Sequence, residues 1–331
     1  MQQFAYFFTG FFFVTLHEQN LMFMNDMTET YKNSEVKIPK FASLLSDSGF
    51  KAVLASPRNK ELLRQLINLI LPEDRQVVQI EKYEDREMDG FTPFSKSSRV
   101  DIRCRDIHGR TFIVEMQRKM HDSFIQRCIW YGAKAYGKDI VPGAEYTELK
   151  PVYVIAFLEE TLPHKEERLW DTDNFISCYQ MVEKRTWEFA PDAIFCIFVE
   201  LGRFRKDVDL LESTLEKTCY VFKNSEKWNE DSVPEKILED RFTQQLTKAC
   251  AVENFPPDVK LKFVRNMFTE MDYKAETKAY YKDGFADGKT EGMMEKALDT
   301  AHKLLAAGIQ PETVASCTGL SVEEVKSLSQ I

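Results

Sequence analysis

The alternation of apolar and polar residues predicts five β-strands over the first two thirds of the chain. Apolar side chains recur at every second position in Gln76 to Tyr83, in Val100 to Cys104 and in Thr111 to Gln117. Two later runs, Val152 to Leu158 and Ala193 to Leu201, are almost wholly apolar. Such runs are typical of strands that are buried on both faces of a sheet.

Segments with helical periodicity lie before and between these strands. Ser56 and Pro57 form a typical helix start, and leucine and isoleucine then recur at helical spacing. The segment Asp122 to Ile140 has apolar residues at helical periods and a polar stripe on another side. The polar stripe consists of Arg127, Tyr131 and Lys134. The order α, β, β, β, α, β indicates an α/β fold around a mixed sheet.

Changes in polarity divide the chain into four segments. We expect a leader at 1–40, the α/β core at 41–202, a helical region at 203–282 and a helical tail at 283–331. We interpret the leader as a non-native start or as disordered, since Met22, Met24 and Met27 offer later starts. Its apolar run from Phe4 to Leu16 is shorter than the ~20 residues that span a membrane. No basic residue precedes that run, so a secretion signal is not indicated. The intact mass of protein made from the native gene would show whether translation starts at a later methionine.

Helical patterns at Asp207 to Tyr220 and at Pro234 to Ala251 are the clearest in the helical region, and Pro256 with Pro257 predicts a break after them.

Charge and cysteine content limit the functions that the chain can have. Lysine and arginine number 44 against 53 aspartate and glutamate residues, which leaves a net charge of -9. A general basic surface for nucleic acid is therefore excluded, and any such site must be local. The seven cysteines are scattered and form no CxxC pair, which argues against a disulfide framework or a zinc ribbon and favours a cytoplasmic protein.

Two acidic residues, Asp101 and Glu115, lie on adjacent predicted strands. The residues between these strands suit a three-residue hairpin loop, Ile107 to Gly109, because such loops end in a left-handed residue and glycine adopts positive φ without strain. A hairpin centred on His108 places Asp101 opposite Glu115 and puts Gln117 on the same face of the sheet.

Two facing carboxylates repel each other unless a cation or a proton lies between them. A hard divalent metal such as Mg²⁺ explains the pair, since it is bound through one or two carboxylates and water. Alternatively, both acids lie on a solvated face and pair with Arg99 and Arg103. Local charge favours the metal site, because Lys96 to Asp139 contains ten basic residues against five acidic ones, as a site for a phosphodiester requires.

The residues of this region resemble those of a known family. The matching segments, in chain order, are Asp47 to Lys51, Arg99 to Ile102, Phe112 to Gln117, Arg127 with Trp130 and Tyr131, and Lys150 to Ile155. Together they resemble the PD-(D/E)XK nucleases, in the branch of Rpn-type recombination-promoting nucleases and transposases. The resemblance covers about 41–160 and implies a restriction-endonuclease-like αβββαβ core with a mixed sheet, followed by a helical C-terminal region.

The resemblance also assigns roles to individual residues. Asp101 and Glu115 match the two acids of the signature, Gln117 stands at its lysine, and Asp47 matches an upstream acid. The implied metal ligands are Asp101, Glu115 and the carbonyl of Met116, with Mg²⁺ or another divalent cation bound. DNA contacts are expected from Arg127, Tyr131 and Lys134.

Two positions depart from the signature. Val100 replaces a proline that makes no chemical contribution. Gln117 is the usual residue in this branch, but its neutral amide can only hold water by hydrogen bonds and cannot stabilise hydroxide by charge. We therefore expect weak activity.

The helical tail contains two short helical patterns around a glycine-containing turn. Pro311 to Cys317 and Ser321 to Leu328 flank Gly319, and Ser321 with Glu324 forms a capping-box pattern. This arrangement suits a helix-turn-helix, but its last helix carries more acid than base. We favour a packing or self-association module here, with a homo-oligomer as one outcome.

Two functions remain open at this point. The first is a metal-dependent DNA endonuclease that is associated with recombination or mobile elements. The second is a DNA-binding or partner-binding protein that keeps the nuclease fold with little or no turnover. In neither case do we expect contact with a membrane.

Overall fold

A computed structural model of the chain describes residues 38–88, 98–138, 140, 143–163 and 174–328. The predicted leader therefore lies, up to residue 37, outside the described residues. The chain forms two compact units, which divide after Asn266. No helix within the described ranges is long and apolar enough to cross a membrane.

The first unit is built around a mixed six-stranded sheet with the strand order β1-β4-β5-β6-β8-β7. Its strands are β1 (Ile80–Tyr83), β4 (Ile102–Asp106), β5 (Thr111–Gln117), β6 (Val152–Leu158), β7 (Ile176–Tyr179) and β8 (Ile194–Glu200). β5, β6 and β8 run parallel to one another, and the other neighbours pair antiparallel. β2 (Glu87–Met88) and β3 (Ser98–Arg99) form a separate two-stranded ribbon. The mixed sheet confirms the predicted α/β class.

Helices cover both faces of this sheet. Those of the first unit are α1 (Asp47–Leu54), α2 (Lys60–Asn68), α3 (Phe124–Gly137), α4 (Thr214–Asn224), α5 (Glu235–Leu238), α6 (Arg241–Cys250) and the start of α7 (Pro257–Ala306). On one face, α3 packs Phe124 and Cys128 against Val154 and Phe198. On the other face, the ring of Phe157 stacks on that of Phe222 from α4, with centroids 4.5 Å apart. All seven residues of β6 are buried, as the apolar run predicted.

The predicted strand at Gln76 to Tyr83 is shorter in the structure. β1 begins only at Ile80, and Val78 is 67% exposed. Asn68 explains the difference, because its side chain accepts a hydrogen bond from the Val77 N–H (2.7 Å) and donates one to the Val77 carbonyl (2.9 Å). These bonds occupy the backbone groups that a strand ladder would use.

Two helices of the predicted helical region also differ from their patterns. The helix expected from Asp207 begins at Thr214, where Ser213 and Glu216 form a capping box. The helix expected at Pro234 to Ala251 is split, because the Asp240 carboxylate accepts hydrogen bonds from two backbone N–H groups at the start of α6. Up to Asn266, this region belongs to the same compact unit as the sheet.

The second unit is a small helical cluster. The end of α7, α8 (Pro311–Thr318) and α9 (Val322–Leu328) surround a core that is completed by Leu320. Gly319 ends α8 in the left-handed conformation, with φ at 76°. Ser321 and Glu324 form the expected capping box, because each side chain accepts a hydrogen bond from the other residue's backbone N–H.

Candidate active site

The two acids predicted to face each other come together where β4 begins and β5 ends. The ladder runs from Ile102 paired with Val114 to Arg105 paired with Thr111, and just beyond its end Asp101 is hydrogen-bonded to Glu115 and Met116. Gly109 has a φ of 81°, as expected for the last residue of the loop. The hairpin register that we predicted is therefore confirmed.

Crossed hydrogen bonds tie the acids to the backbone. The Asp101 N–H donates to Glu115 Oε1 over 3.0 Å, and the Met116 N–H donates to Asp101 Oδ2 over 3.0 Å. Glu115 is only 6% exposed, and the Asp101 side chain 15%. Both carboxylates are thus held in place before any ligand arrives.

Burial makes negative charge unfavourable at both acids. It raises the pKa of Glu115 to about 8, and the nearby Asp101 carboxylate adds to the effect. Burial also raises the pKa of Asp101, although Lys51 and the Met116 N–H oppose the shift. Ionising both carboxylates at once is therefore unfavourable, and a bound cation would reduce that cost.

Lys51 is a member of this site that the sequence reasoning did not single out. From α1, its Nζ contacts Asp101 Oδ1 at 2.9 Å and also pairs with Asp47. Asp47 and Lys51 are four residues apart on one helix, a spacing that is usual for exposed ion pairs. Nothing local in the sequence indicates that this pair reaches Asp101. The upstream acid, Asp47, is therefore linked to Asp101 through Lys51.

A close approach of two backbone segments sets the position of α1. Ser46 caps the helix by accepting a hydrogen bond from the Gly49 N–H, at 3.0 Å. At Gly49, a Cβ atom would lie 2.1 Å from the Ser43 carbonyl oxygen, so no side chain fits there. This packing holds Lys51 within reach of Asp101.

Gly49→Ala is expected to displace α1 and lower the stability of the protein by about 1–3 kcal/mol or more, as overpacking of a close contact does. The expected measurement is a reduced midpoint in urea unfolding. Gly137→Ala is the matched control, because a Cβ there meets nothing within 4 Å. Equal midpoints for both variants would show that α1 tolerates a side chain at residue 49.

Gln117 does not lie free beside the acids. Its Oε1 accepts a hydrogen bond from Arg127 Nη2 at 2.5 Å, and its Nε2 donates to the Lys119 carbonyl. The Arg127 guanidinium also lies over the Phe124 ring, at 4.9 Å. In this arrangement, Gln117 positions Arg127, and both ends of its amide are hydrogen-bonded within the protein.

Two of the three residues expected to touch DNA are buried instead. Tyr131 is 7% exposed and Lys134 is 5% exposed. The Lys134 Nζ donates to the Met88 carbonyl at 2.5 Å and lies 3.4 Å from Ser98 Oγ, so it ties α3 to the β2–β3 ribbon. The polar stripe of α3 therefore faces inward. DNA contact through Tyr131 and Lys134 stays a prediction that their burial does not support, whereas Arg127 is partly exposed.

Other cations lie closer to the surface at this end of the sheet. Directly after Gln117, Arg118 pairs with Glu159 at 2.7 Å and Lys119 pairs with Glu160 at 2.7 Å. The side chains of Arg118 and Lys119 are 40% and 81% exposed. Both residues belong to the local basic excess counted in the sequence. They lie at the site because they directly follow the last residue of β5.

The donor set suits a metal that needs few protein ligands. Within the described ranges, no three His, Cys, Asp or Glu side chains converge in a way that could hold a metal ion. Two buried carboxylates do converge, and Mg²⁺ is commonly bound by one or two carboxylates together with water. The residues present therefore fit Mg²⁺ better than a metal that requires a protein cage.

Comparisons with known proteins agree with this geometry. Residues 44–279 match the model of a PD-(D/E)XK nuclease family transposase. Residues 294–330 match the model of the C-terminal helix-turn-helix domain of the Rpn/YhgA-like nuclease family. No curated protein and no solved structure matches the chain. The tail is thus similar to a helix-turn-helix domain, one of the two alternatives that its sequence left open.

Proposed function

Because the chain belongs to the PD-(D/E)XK nuclease family of transposases, in its Rpn-type branch, we propose that it is a divalent-metal-dependent DNA endonuclease. The observation that supports this function is the buried pair of Asp101 and Glu115, whose carboxylates are held side by side by hydrogen bonds from the Asp101 and Met116 N–H groups. Recombination or the movement of genetic elements is the biological setting that the family suggests.

Asp101 and Glu115, with the Met116 carbonyl, are the residues that would hold Mg²⁺. When bound, the metal would lower the pKa of a water molecule and polarise the phosphate. The chain's own task is to hold both carboxylates in fixed positions, which the Asp101 and Met116 N–H groups do. Asp47 lies outside this pair and supports it through Lys51.

The reaction is hydrolysis of a phosphodiester. A water oxygen forms a bond to phosphorus and loses a proton to solvent, while the bond from phosphorus to a sugar oxygen breaks and that oxygen gains a proton. Arg127, Arg118 and Lys119 lie at the site's end of β5 and would bind the flanking phosphates. Phosphate contacts would then replace the pairs that Arg118 and Lys119 make with Glu159 and Glu160.

Nicking of supercoiled plasmid in Mg²⁺ tests the proposal. We expect nicking that EDTA stops and that Asp101→Ala abolishes, since this variant loses a metal ligand. Asp192→Asn is the control, because Asp192 precedes β8 at the opposite end of the parallel strands and pairs with Arg75. Nicking by Asp101→Ala at the wild-type rate would refute the proposed site.

The second candidate is a DNA-binding protein with little turnover. Gln117 favours it, because the amide is neutral and is hydrogen-bonded to Arg127 and Lys119. The helix-turn-helix match at 294–330 favours DNA binding in either case. Retardation of duplex DNA in gels, without nicking in Mg²⁺ or Mn²⁺, would support this candidate over the enzyme.

A further inference from the structure

Lys51 forms an ion pair with Asp101. Among the described residues, no other ion pair involves Asp101 or Glu115. Its Nζ lies 2.9 Å from Asp101 Oδ1, and its charge also acts on Glu115. The Lys51 side chain is partly exposed (23%), and its ammonium group lies beside the acids. The capped and tightly packed start of α1 determines this position.

β5 lacks the lysine of the nuclease signature that this chain resembles, and so lacks its ammonium group. Gln117 stands at that position, and both ends of its amide are used within the protein. Arg127 is positive and near, but its guanidinium is held by Gln117 and by the Phe124 ring. Arg118 and Lys119 pair with Glu159 and Glu160, so Lys51 is the cation that the structure places in direct contact with the acids.

We propose that Lys51 supplies from α1 the ammonium group that Gln117 does not supply from β5. In this role Lys51 is a catalytic residue, since its charge stabilises the negative charge that develops on the attacked phosphate. The inference rests on the proposed nuclease function. It assigns Lys51 a part in that reaction beyond the ion pair with Asp101.

This role predicts opposite effects on turnover and on metal binding. Removal of a positive charge from the site withdraws stabilisation from the transition state, which is often worth about 10²-fold in rate. The same removal relieves repulsion between the lysine and a divalent cation, so metal affinity rises. A lysine that only maintained the fold would give a variant in which both properties decline.

The experiment compares Lys51→Met, Lys51→Arg and wild type. Nicking is measured at saturating Mg²⁺, and Ca²⁺ binding is measured separately by calorimetry on the metal-free protein. We expect Lys51→Met to nick about 10²-fold more slowly and to bind Ca²⁺ about tenfold more tightly. Lys51→Arg keeps the charge and should retain nicking within about tenfold of wild type. Lys60→Met is the control, because Lys60 lies on α2 and donates to the Glu81 carbonyl.

Three other outcomes would contradict the role of Lys51, and the last of them would also contradict the nuclease function. If the wild type nicks and Lys51→Met nicks equally well, the role of Lys51 is wrong and the nuclease function stands. If Lys51→Met loses nicking while Ca²⁺ binding is unchanged or weaker, the lysine is structural and the inference is again wrong. If the wild type itself does not nick, the proposed function fails, and the catalytic role of Lys51 fails with it.

Discussion

Glu115→Gln is expected to abolish nicking while leaving the metal-free protein at least as stable as wild type. The variant loses a metal ligand, and the several kcal/mol that a catalytic metal contributes correspond to a loss of about 10³-fold or more in rate. Stability is retained because the glutamine carbonyl can still accept the hydrogen bond from the Asp101 N–H. The variant also removes a carboxyl group whose ionisation burial and Asp101 make unfavourable, since both raise its pKa.

The pH dependence of stability provides a second measurement of the same prediction. The pKa of Glu115 rises from 4.5 to about 8 on folding, so the folded state binds a proton more tightly than the unfolded state. The stability contributed by this group is complete below pH 4.5 and is lost as the pH rises through about 8. Melting temperatures in EDTA should therefore fall across this window in the wild type and change less in Glu115→Gln.

Glu200→Gln is the matched control for the glutamate variant. Glu200 is also fully buried, but it ends β8, where it accepts hydrogen bonds from the Leu162 N–H (2.9 Å) and from Ser177 Oγ (2.7 Å). We expect this control to nick normally with a lower melting temperature. A clear drop in the melting temperature of metal-free Glu115→Gln would instead make Glu115 a structural partner of nearby cations such as Arg127.

Glu84→Gln is expected to give the largest loss of stability, about 3–5 kcal/mol, because it leaves a buried charge without its partner. Arg103 is fully buried on β4, and its Nη2 lies 2.8 Å from Glu84 Oε2. The other carboxylate oxygen pairs with Arg105 at 3.0 Å. Among the described residues, Nε and Nη1 of Arg103 have no hydrogen-bond partner, so little else there compensates the charge of Arg103.

Urea unfolding measures this loss, and two further variants define its cause. Glu61→Gln removes the partner of Arg64 at an exposed i,i+3 pair and should cost at most about 1 kcal/mol. The double variant Glu84→Leu with Arg103→Met removes both charges and should recover much of the stability lost in Glu84→Gln. A free energy of unfolding for Glu84→Gln within about 1 kcal/mol of wild type would show that Arg103 does not depend on Glu84.

The sequence predicts the part of the candidate site that lies on one hairpin. The alternating strands and the glycine of the loop determine the register, and this register brings Asp101 next to Glu115. Lys51 could not be found in this way, since its contact with Asp101 spans fifty residues and depends on how α1 packs. Tyr131 and Lys134 were misplaced for a related reason, because a polar stripe on a helix is compatible with either solvent or buried partners.

The sequence by itself determined the features that depend on neighbours along the chain. These include the strands β5, β6 and β8, the loop ending at Gly109 and the capping box at Ser321, all of which follow from side-chain periodicity or from backbone groups a few residues apart. The tertiary structure decided the rest. It shortened β1 through Asn68, turned Lys134 towards Met88 and brought Lys51 to Asp101. In each case a polar side chain on a helix bonds to a residue outside that helix, and the packing of the helices determines which partner that is.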